Sequence, residues 1–466
     1  MNKAIWLAGG LIWVGVGARA ADSPRLLPPV FTPAGLQLEW QDAAADRAYT
    51  VQIRERLEGG LWVAAPADTP WPLRTLRWVD PRPAGPMRFY RVLAVAPAER
   101  GKVLTAAELG LYSKAQLNFL FQLAGVPVTA QYDVAALAVT YETVDPWGGR
   151  TQASGFLAIP AAGSQRLPLI SYQHGTLARK SDAPSQNATG ERVVGLALAA
   201  TGYLALLPDY LGLGNSPGVP AYHHARTEGT AGVDLLRAAR TLAAQRGVPL
   251  NGQLFLLGYS HGGHATMALL RELETFHADE FPVTAAAPMA GAYDLSGVTA
   301  EDFLSPRPKP NPYYLALLVA AYQDIYRLAP NLADLLAPPY HTTLPPLLTG
   351  QHTGGEINAA MPTDPVQVFK PEYLAAFRAD PEHPLRLALR DNDVFRWTPR
   401  SPLRLYHCSG DQDVVPANSQ VAYAAFRAAG ATQVELVDPV PGANHGACAE
   451  PSLLAAKAWF DSLRRP

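Results

Sequence analysis

The chain carries little charge and almost no cysteine. Of its 466 residues, 17% are Asp, Glu, Lys or Arg, the formal net charge is −2, and there are two cysteines. A chain without a basic excess lacks the electrostatic footprint that attracts nucleic acid or an anionic membrane surface, so we expect neither as a partner. With 48% hydrophobic residues, the chain has ample material for a large core and for two or three domains.

Motifs of metal-dependent and nucleotide-dependent enzymes are also missing. The histidines that invite a metal assignment are His223, His224, His261, His264 and His407. No pair of them shows metalloprotease spacing with an acid between, and no phosphate-binding loop is present. We therefore expect no metal and no cofactor, and we assign these histidines to satisfied or exposed positions.

No apolar run is long enough to span a membrane comfortably. The run at residues 4–17 follows Lys3 and precedes the small residues at 18–20 (ARA), which suit a signal peptidase. We expect a signal peptide at residues 1–20 and a secreted or periplasmic protein. A retained anchor is the alternative, although no second apolar span follows.

The two cysteines, Cys408 and Cys448, are candidates for a disulfide. Cysteines of an exported protein meet an oxidising compartment, where pairing is favoured. A bridge closing a loop of about 40 residues would contribute about 3–4 kcal/mol by the loop-entropy model. Two buried free thiols remain the alternative, because sequence does not show proximity.

Residues 29–97 predict a small β-sandwich. Apolar residues alternate at period two in several short runs, among them residues 36–40 and 49–53. The stretch at 89–92 (FYRV) resembles a late strand of fibronectin type III domains. Trp40 and Trp62 are assigned to structural roles rather than to carbohydrate binding.

Residues 105–466 predict an α/β domain. Short strands that are apolar on both faces alternate with helices, a pattern typical of a mostly parallel sheet with helices on both faces. We expect helices at 232–245 and from Pro451 to about residue 463. The rhythm breaks at about residues 296–400, which are rich in Pro, Leu and Tyr. This segment is too long for an ordinary connection, so we interpret it as a helical lid inserted over the catalytic face.

Residues 258–262 (GYSHG) follow the apolar run at 254–257 and precede a helical stretch. This arrangement is that of a nucleophile elbow, in which a strand delivers a serine onto a sharp turn. The turn has room only for small residues two positions before and two after the serine, which accounts for Gly258 and Gly262. Ser260 is the predicted nucleophile.

The base and the acid follow later in the chain. In the order serine, acid, histidine, the histidine comes shortly after the last strand, where His445 lies in 442–446 (GANHG). Two carboxylates compete as the acid. Asp411 lies at the tip of the preceding strand and is our choice, while the spacing from Gly410 favours Asp413.

An oxyanion hole needs two aligned backbone N–H groups. His261, which follows the nucleophile at the start of a helix, supplies one. Thr176 in residues 173–176 (QHGT) is the expected second donor, since this loop follows an earlier strand and Gly175 permits unusual backbone.

Several stretches together resemble the exported lipases and esterases of the α/β-hydrolase superfamily, of the secretory-lipase kind. They are residues 172–176 (YQHGT), 208–212 (PDYLG), 258–263 (GYSHGG), 408–411 (CSGD) with 418–419 (NS), and 444–446 (NHG). The resemblance covers about residues 105–466. It implies an α/β-hydrolase fold, a Ser260–Asp411–His445 triad, a helical lid and carboxylic ester substrates. The acid loop departs from the usual spacing, which keeps Asp413 open.

We predict a serine esterase or lipase that acts through an acyl-enzyme on a small-molecule or lipid ester, without a cofactor. A peptidase or amidase on the same fold is the nearest alternative. A binding protein on a hydrolase scaffold is a third, although such proteins commonly lack a triad residue and all three types are present here.

Overall fold

The structure is a computed structural model that describes residues 24–44, 46–56, 60–82, 87–305 and 307–465. The signal peptide predicted at residues 1–20 lies outside these ranges. The strands are β1 (Arg25–Leu26), β2 (Val30–Thr32), β3 (Gly35–Gln41), β4 (Ala48–Arg54), β5 (Val63–Ala64), β6 (Arg77–Asp80), β7 (Phe89–Val95), β8 (Val103–Tyr112), β9 (Val134–Val144), β10 (Arg150–Pro160), β11 (Leu167–Gln173), β12 (Leu204–Pro208), β13 (Leu250–Tyr259), β14 (Ala285–Met289), β15 (Leu403–Tyr406) and β16 (Val434–Val437).

The α-helices are α1 (Lys114–Ala124), α2 (Glu191–Ala200), α3 (Ala225–Gln245), α4 (His261–Phe276), α5 (Ala300–Leu304), α6 (Tyr313–Tyr326), α7 (Tyr340–Thr343), α8 (Gly354–Ala359), α9 (Pro371–Ala379), α10 (Pro384–Asp391), α11 (Ala417–Ala428) and α12 (His445–Leu463). Short 3-10 turns and one π-helical turn connect some of them. None of the helices in the described ranges is long and apolar enough to cross a membrane.

Strands β1 to β7 form two small antiparallel sheets. One pairs β3 with β1, β2 and β6, and the other runs β5-β4-β7. The two sheets share a single apolar core that contains Trp40 and Tyr90. The Tyr90 hydroxyl donates to buried Asp80 at 2.9 Å, which ties β7 to the end of β6. Trp62 is half-buried, with the Arg91 guanidinium 4.6 Å from its ring centre.

The larger sheet has nine strands in the order β8-β9-β10-β12-β11-β13-β14-β15-β16. Its first strands, β8, β9, β10 and β12, pair antiparallel, whereas β12, β11, β13, β14, β15 and β16 pair parallel. Residues of α3, α4 and α11 join one apolar core, and those of α1, α2 and α12 join another. A mostly parallel sheet between two helical layers is the predicted α/β arrangement.

The parallel strands bring distant residues to one edge. The carboxyl ends of neighbouring parallel strands lie side by side, and ligand sites of α/β sheets form at this edge. Ser260 follows β13 directly, Asp411 follows β15, and His445 follows β16. Their separation along the chain therefore becomes proximity in space.

Two helix boundaries differ from prediction. Helix α12 begins at His445, not at Pro451, because the Asn444 side chain caps it by accepting from the Ala447 N–H at 3.0 Å. Helix α3 begins seven residues before the predicted Gly232. The run at 225–231 shows no apolar period, yet all of its residues except Arg226 are buried, which is why pattern reasoning missed it.

Residues 295–391 hold helices α5 to α10 and supply most of a third apolar cluster, with Tyr322 fully buried in it; Leu61, Ala178, Tyr222 and Ala292 complete this cluster. Phe303 of α5 and Leu318 of α6 border the same cavity as Ser260. The inserted segment therefore covers the carboxyl edge of the sheet near this serine.

Cys408 and Cys448 form a disulfide, with their Cα atoms 5.9 Å apart. The bridge joins the loop after β15 to the first turns of α12 and spans 40 positions of sequence. Of the two alternatives left open by the sequence, the structure contains the bridge. Each cysteine lies three residues from a predicted triad member, so the bridge connects the segments that carry the acid and the base.

Replacing both cysteines by alanine (Cys408→Ala, Cys448→Ala) is expected to lower the free energy of unfolding by about 4 kcal/mol, because the unfolded chain regains the entropy of an open 40-residue loop. Urea unfolding followed by tryptophan fluorescence measures the change. Reductant should destabilise the parent protein and leave the double variant unaffected. Equal stability of the parent with and without reductant would contradict the expectation.

Candidate active site

Ser260 occupies a strained turn between β13 and α4. Its φ is +62° and its ψ −121°, a conformation that costs a non-glycine residue free energy. The Ser260 N–H donates to the Met289 carbonyl at 2.9 Å, which ties the turn to β14. A Cβ on Gly258 would lie 2.4 Å from the Gly262 carbonyl oxygen, and one on Gly262 would lie 1.9 Å from that of Gln173. Both positions of the motif therefore exclude any side chain.

Three predicted residues are joined by hydrogen bonds at this turn. His445 Nε2 is 2.9 Å from Ser260 Oγ, and His445 Nδ1 is 2.6 Å from Asp411 Oδ2. With the Nδ1 proton donated to the carboxylate, Nε2 is left as the acceptor for the serine hydroxyl. The Tyr259 hydroxyl donates to the His445 carbonyl at 2.6 Å and fixes the start of α12 beside Ser260.

Asp411 is buried and well supplied with donors. Burial opposes its charge, but the hydrogen bonds and electrostatic attraction of His407 and His445 outweigh this, so the pKa of Asp411 lies below its usual value. Its Oδ1 also accepts from the backbone N–H groups of Asp413 and Val414, at 2.9 and 3.0 Å. A pKa lower in the folded than in the unfolded chain means that ionised Asp411 stabilises the fold at neutral pH and loses this contribution as the pH falls.

Asp413, the alternative candidate for the acid, bonds to a different residue. Its Oδ1 accepts from Asn311 Nδ2 at 2.6 Å, and the residue borders the cavity in front of Ser260. The hydrogen bond to His445 is made by Asp411.

Of the two expected oxyanion donors, His261 borders the cavity in front of Ser260, and Thr176 contacts Tyr222, which borders the same cavity. His261 is the first residue of α4, where backbone N–H groups have no partner within the helix. Thr176 lies in the loop after β11, and its hydroxyl is 2.9 Å from that of Tyr222. Tyr222, Ser260 and His261 border the same cavity.

Glu228 is a buried residue of the site that sequence reasoning missed. It lies on α3 with 1% of its surface exposed, and its two carboxylate oxygens are each 2.7 Å from an imidazole nitrogen, one of His261 and one of His264. Burial opposes its charge, but the two histidines outweigh this and hold the pKa of Glu228 well below its usual value. The only hint in the sequence was a pair of histidines three apart on one helix face.

A metal ion at this cluster is the other possibility to test. Ligand atoms of His223, Glu228 and His261 lie within 4.8 Å of one another. Neighbouring ligands of a tetrahedral zinc with bonds of about 2.0–2.1 Å lie about 3.3 Å apart, whereas His261 Nε2 and Glu228 Oε1 are 2.7 Å apart. This distance fits a shared proton and is too short for two ligands of one zinc ion.

Comparisons with known proteins indicate the class of reaction. Residues 178–301 match the family model described as secretory lipase. A protein of Legionella pneumophila of known structure is 29% identical with a TM-score of 0.71, and the match covers 78% of this chain and 98% of that one. The rice cell wall degrading esterase LipA of Xanthomonas oryzae is 28% identical with a TM-score of 0.68, covering 78% of this chain and 96% of that one.

Candida antarctica lipase A is 17% identical with a TM-score of 0.59, over 79% of this chain and 83% of that one, and this likeness concerns the fold alone. No curated protein gives a significant match. The chain is a carboxylic ester hydrolase. The comparisons confirm the reaction class that the sequence predicted, carboxylic ester hydrolysis.

A matched pair of glycines tests how tightly the serine turn of this hydrolase is packed. Gly262 and Gly446 are each the second residue of a helix. Gly262→Ala is expected to cost about 3 kcal/mol or more in unfolding free energy, because its Cβ would overlap the Gln173 carbonyl. Gly446→Ala should cost nothing and could gain up to about 1 kcal/mol of helix propensity, because its nearest neighbour is 3.8 Å away. Denaturant unfolding measures both, and equal effects would contradict the packing argument.

Proposed function

We propose that the protein is an exported serine esterase or lipase that cleaves carboxylic esters through an acyl-enzyme on Ser260. The observation that supports this best is the chain of hydrogen bonds from Ser260 through His445 to Asp411, 2.9 and 2.6 Å long. The residue types, their order along the chain and the two distances are those that acyl transfer by a serine requires.

In the proposed acylation step, His445 Nε2 takes the proton of Ser260 as Oγ attacks the ester carbonyl carbon. The carbonyl π electrons move to the oxygen, which becomes an oxyanion. Asp411 holds the imidazole in the tautomer with Nδ1 protonated and stabilises the imidazolium that forms. When the tetrahedral intermediate collapses, the ester C–O bond breaks, and the alcohol leaves with the proton from His445 Nε2.

Deacylation repeats these steps with water. His445 removes a proton from the water molecule, whose oxygen attacks the acyl carbon, and collapse returns the proton to Ser260 Oγ as the carboxylic acid leaves. In both steps the N–H groups of His261 and Thr176 are the proposed donors to the oxyanion. One such donor contributes roughly 10²–10³ to turnover in serine hydrolases.

We propose that residues 295–391 act as the lid and hold the acyl group. An apolar cavity lies between α5, α6, α9 and α10, and no polar surface lines it. Phe303 and Leu318 border both this cavity and the one in front of Ser260. An acyl chain bound to Ser260 would therefore meet apolar surface on its way into the inserted segment.

Two features support export. The match to the secretory lipase family covers part of the catalytic domain, and the Cys408–Cys448 disulfide suits an oxidising compartment. For β1 to β7 we propose a fibronectin type III-like sandwich. The shared core and the Tyr90–Asp80 hydrogen bond at a strand end support this assignment.

Ser260→Ala is expected to lower kcat on p-nitrophenyl butyrate by about 10⁶-fold, because the nucleophile is lost. A fluorophosphonate probe should label the parent protein at Ser260 and leave the variant unlabelled, and a metal chelator should not change the parent's activity. Retained turnover in the variant would overturn the assignment. Faster cleavage of the matching p-nitroanilide would favour an amidase instead.

A pair of substitutions separates the two candidate acids. Asp411→Asn is expected to lower kcat by about 10⁴-fold, since an amide cannot hold the imidazole in the required tautomer. Asp413→Asn, which leaves the hydrogen bond between Asp411 and His445 intact, should stay within about tenfold of the parent. Steady-state kinetics on the same ester measures both, and the reverse order would make Asp413 the acid.

A further inference from the structure

Glu228 joins two helices beneath the nucleophile. It projects from α3 towards the first turns of α4, where its carboxylate contacts the imidazoles of His261 and His264 at 2.7 Å each. All three side chains are at most 4% exposed. Among the described residues, the ion-pair partners of Glu228 are these two histidines. A buried carboxylate without Lys or Arg needs another source of positive charge.

The contacts of His264 indicate where that charge lies. Its Nδ1 faces the Glu228 carboxylate, and its Nε2 is 2.9 Å from the Asn392 backbone carbonyl. Both partners are acceptors, and a neutral imidazole has only one N–H. The Asn392 segment is held in place, since its side-chain oxygen accepts from the Ala225 N–H at 2.9 Å. His264 meets both acceptors only with a proton on each nitrogen, unless Glu228 itself carries the proton.

The neighbours favour a charged Glu228. Both imidazole contacts of Glu228 are 2.7 Å long, which is the length of charge-assisted hydrogen bonds, whereas the His223 backbone N–H is 3.4 Å from His261 Nε2, so this nitrogen donates to the carboxylate. The ring centre of His223 lies 4.6 Å from the ring centres of both His261 and His264. Burial lowers the pKa of His223, so this imidazole contributes no positive charge. Burial also lowers the pKa of His224, to about 3. The proton that balances Glu228 is then the second proton of His264.

We propose that Glu228 and a doubly protonated His264 form a buried ion pair that, together with His261, holds the first turn of α4 in place. This turn carries the His261 N–H and follows the strained Ser260, whose φ of +62° requires support from its surroundings. Glu228 and His264 are thus positioning residues for the oxyanion donor. The inference rests on the proposed function of Ser260.

Glu228→Gln tests the clamp. The amide keeps the size of the side chain but offers one acceptor in place of two, and it removes the charge. We expect kcat per active site on p-nitrophenyl butyrate to fall about 10- to 100-fold with little change in KM, because a displaced oxyanion donor weakens transition-state binding. Active sites are counted by fluorophosphonate titration, so a misfolded fraction does not enter the result.

Asp234→Asn is the matched control. Asp234 is a fully buried carboxylate on the same helix, but its partners are Thr143, Arg100 and Arg237, and it has no contact with α4 imidazoles. This variant should lose stability yet keep the parent's kcat per titrated site. A fall in kcat per site for Asp234→Asn equal to that for Glu228→Gln would overturn the positioning role, as would an unchanged kcat per site in Glu228→Gln.

A second measurement does not depend on the activity of any variant. In protein labelled with ¹⁵N-histidine, the imidazole signals of His264, assigned by their loss in His264→Gln, should show protons on both nitrogens at pH 7. A neutral His264 would overturn the ion pair. If the fluorophosphonate did not label the parent at Ser260, the proposed function would be wrong. The ion pair would still be tested separately, by the imidazole signals of His264.

Discussion

The close approach of the Ser260 turn to the end of β11 is the constraint on which the site depends. The Gln173 carbonyl oxygen lies where a side chain of residue 262 would begin, and β14 holds the Ser260 N–H. Packing of this kind allows one backbone path and enforces a φ that serine would otherwise avoid. Ser260 borders the cavity because the turn that carries it is held between β11, β14 and the start of α4.

Charge around this turn is arranged in two buried centres that use histidine. Asp411 is balanced through His445 and His407 on the side of β15 and β16, and Glu228 through His261 and His264 on the side of α3. No Lys or Arg forms an ion pair with either carboxylate in the part of the chain that the structure describes. Histidine can gain and lose a proton near neutral pH, which the proposed acyl transfer requires of the first centre, while the second centre is proposed to support the turn. The disulfide then ties the acid loop to the helix of the base.

Local patterns predicted much of this protein. Apolar strands, a small-residue motif around Ser260 and the order serine, acid, histidine were sufficient for an α/β sheet with its site at one edge. These patterns failed at segments that are buried without showing apolar periodicity. The first two turns of α3 lack an apolar pattern, so the predicted helix began too late and Glu228 was overlooked. Helix α12 begins before Pro451 because Asn444 caps it.

The sequence by itself predicted the reaction class, the serine turn at residue 260 and the layers of the fold, because each depends on short-range spacing that a single strand or turn imposes. Only the tertiary structure decided which of Asp411 and Asp413 bonds to His445, that the two cysteines meet, and that one carboxylate from α3 reaches two histidines of α4. These are pairings between residues 33 to 40 positions apart along the chain. They exist because the order of strands in the sheet and the packing of helices across it bring those segments together, and no local pattern encodes that distance.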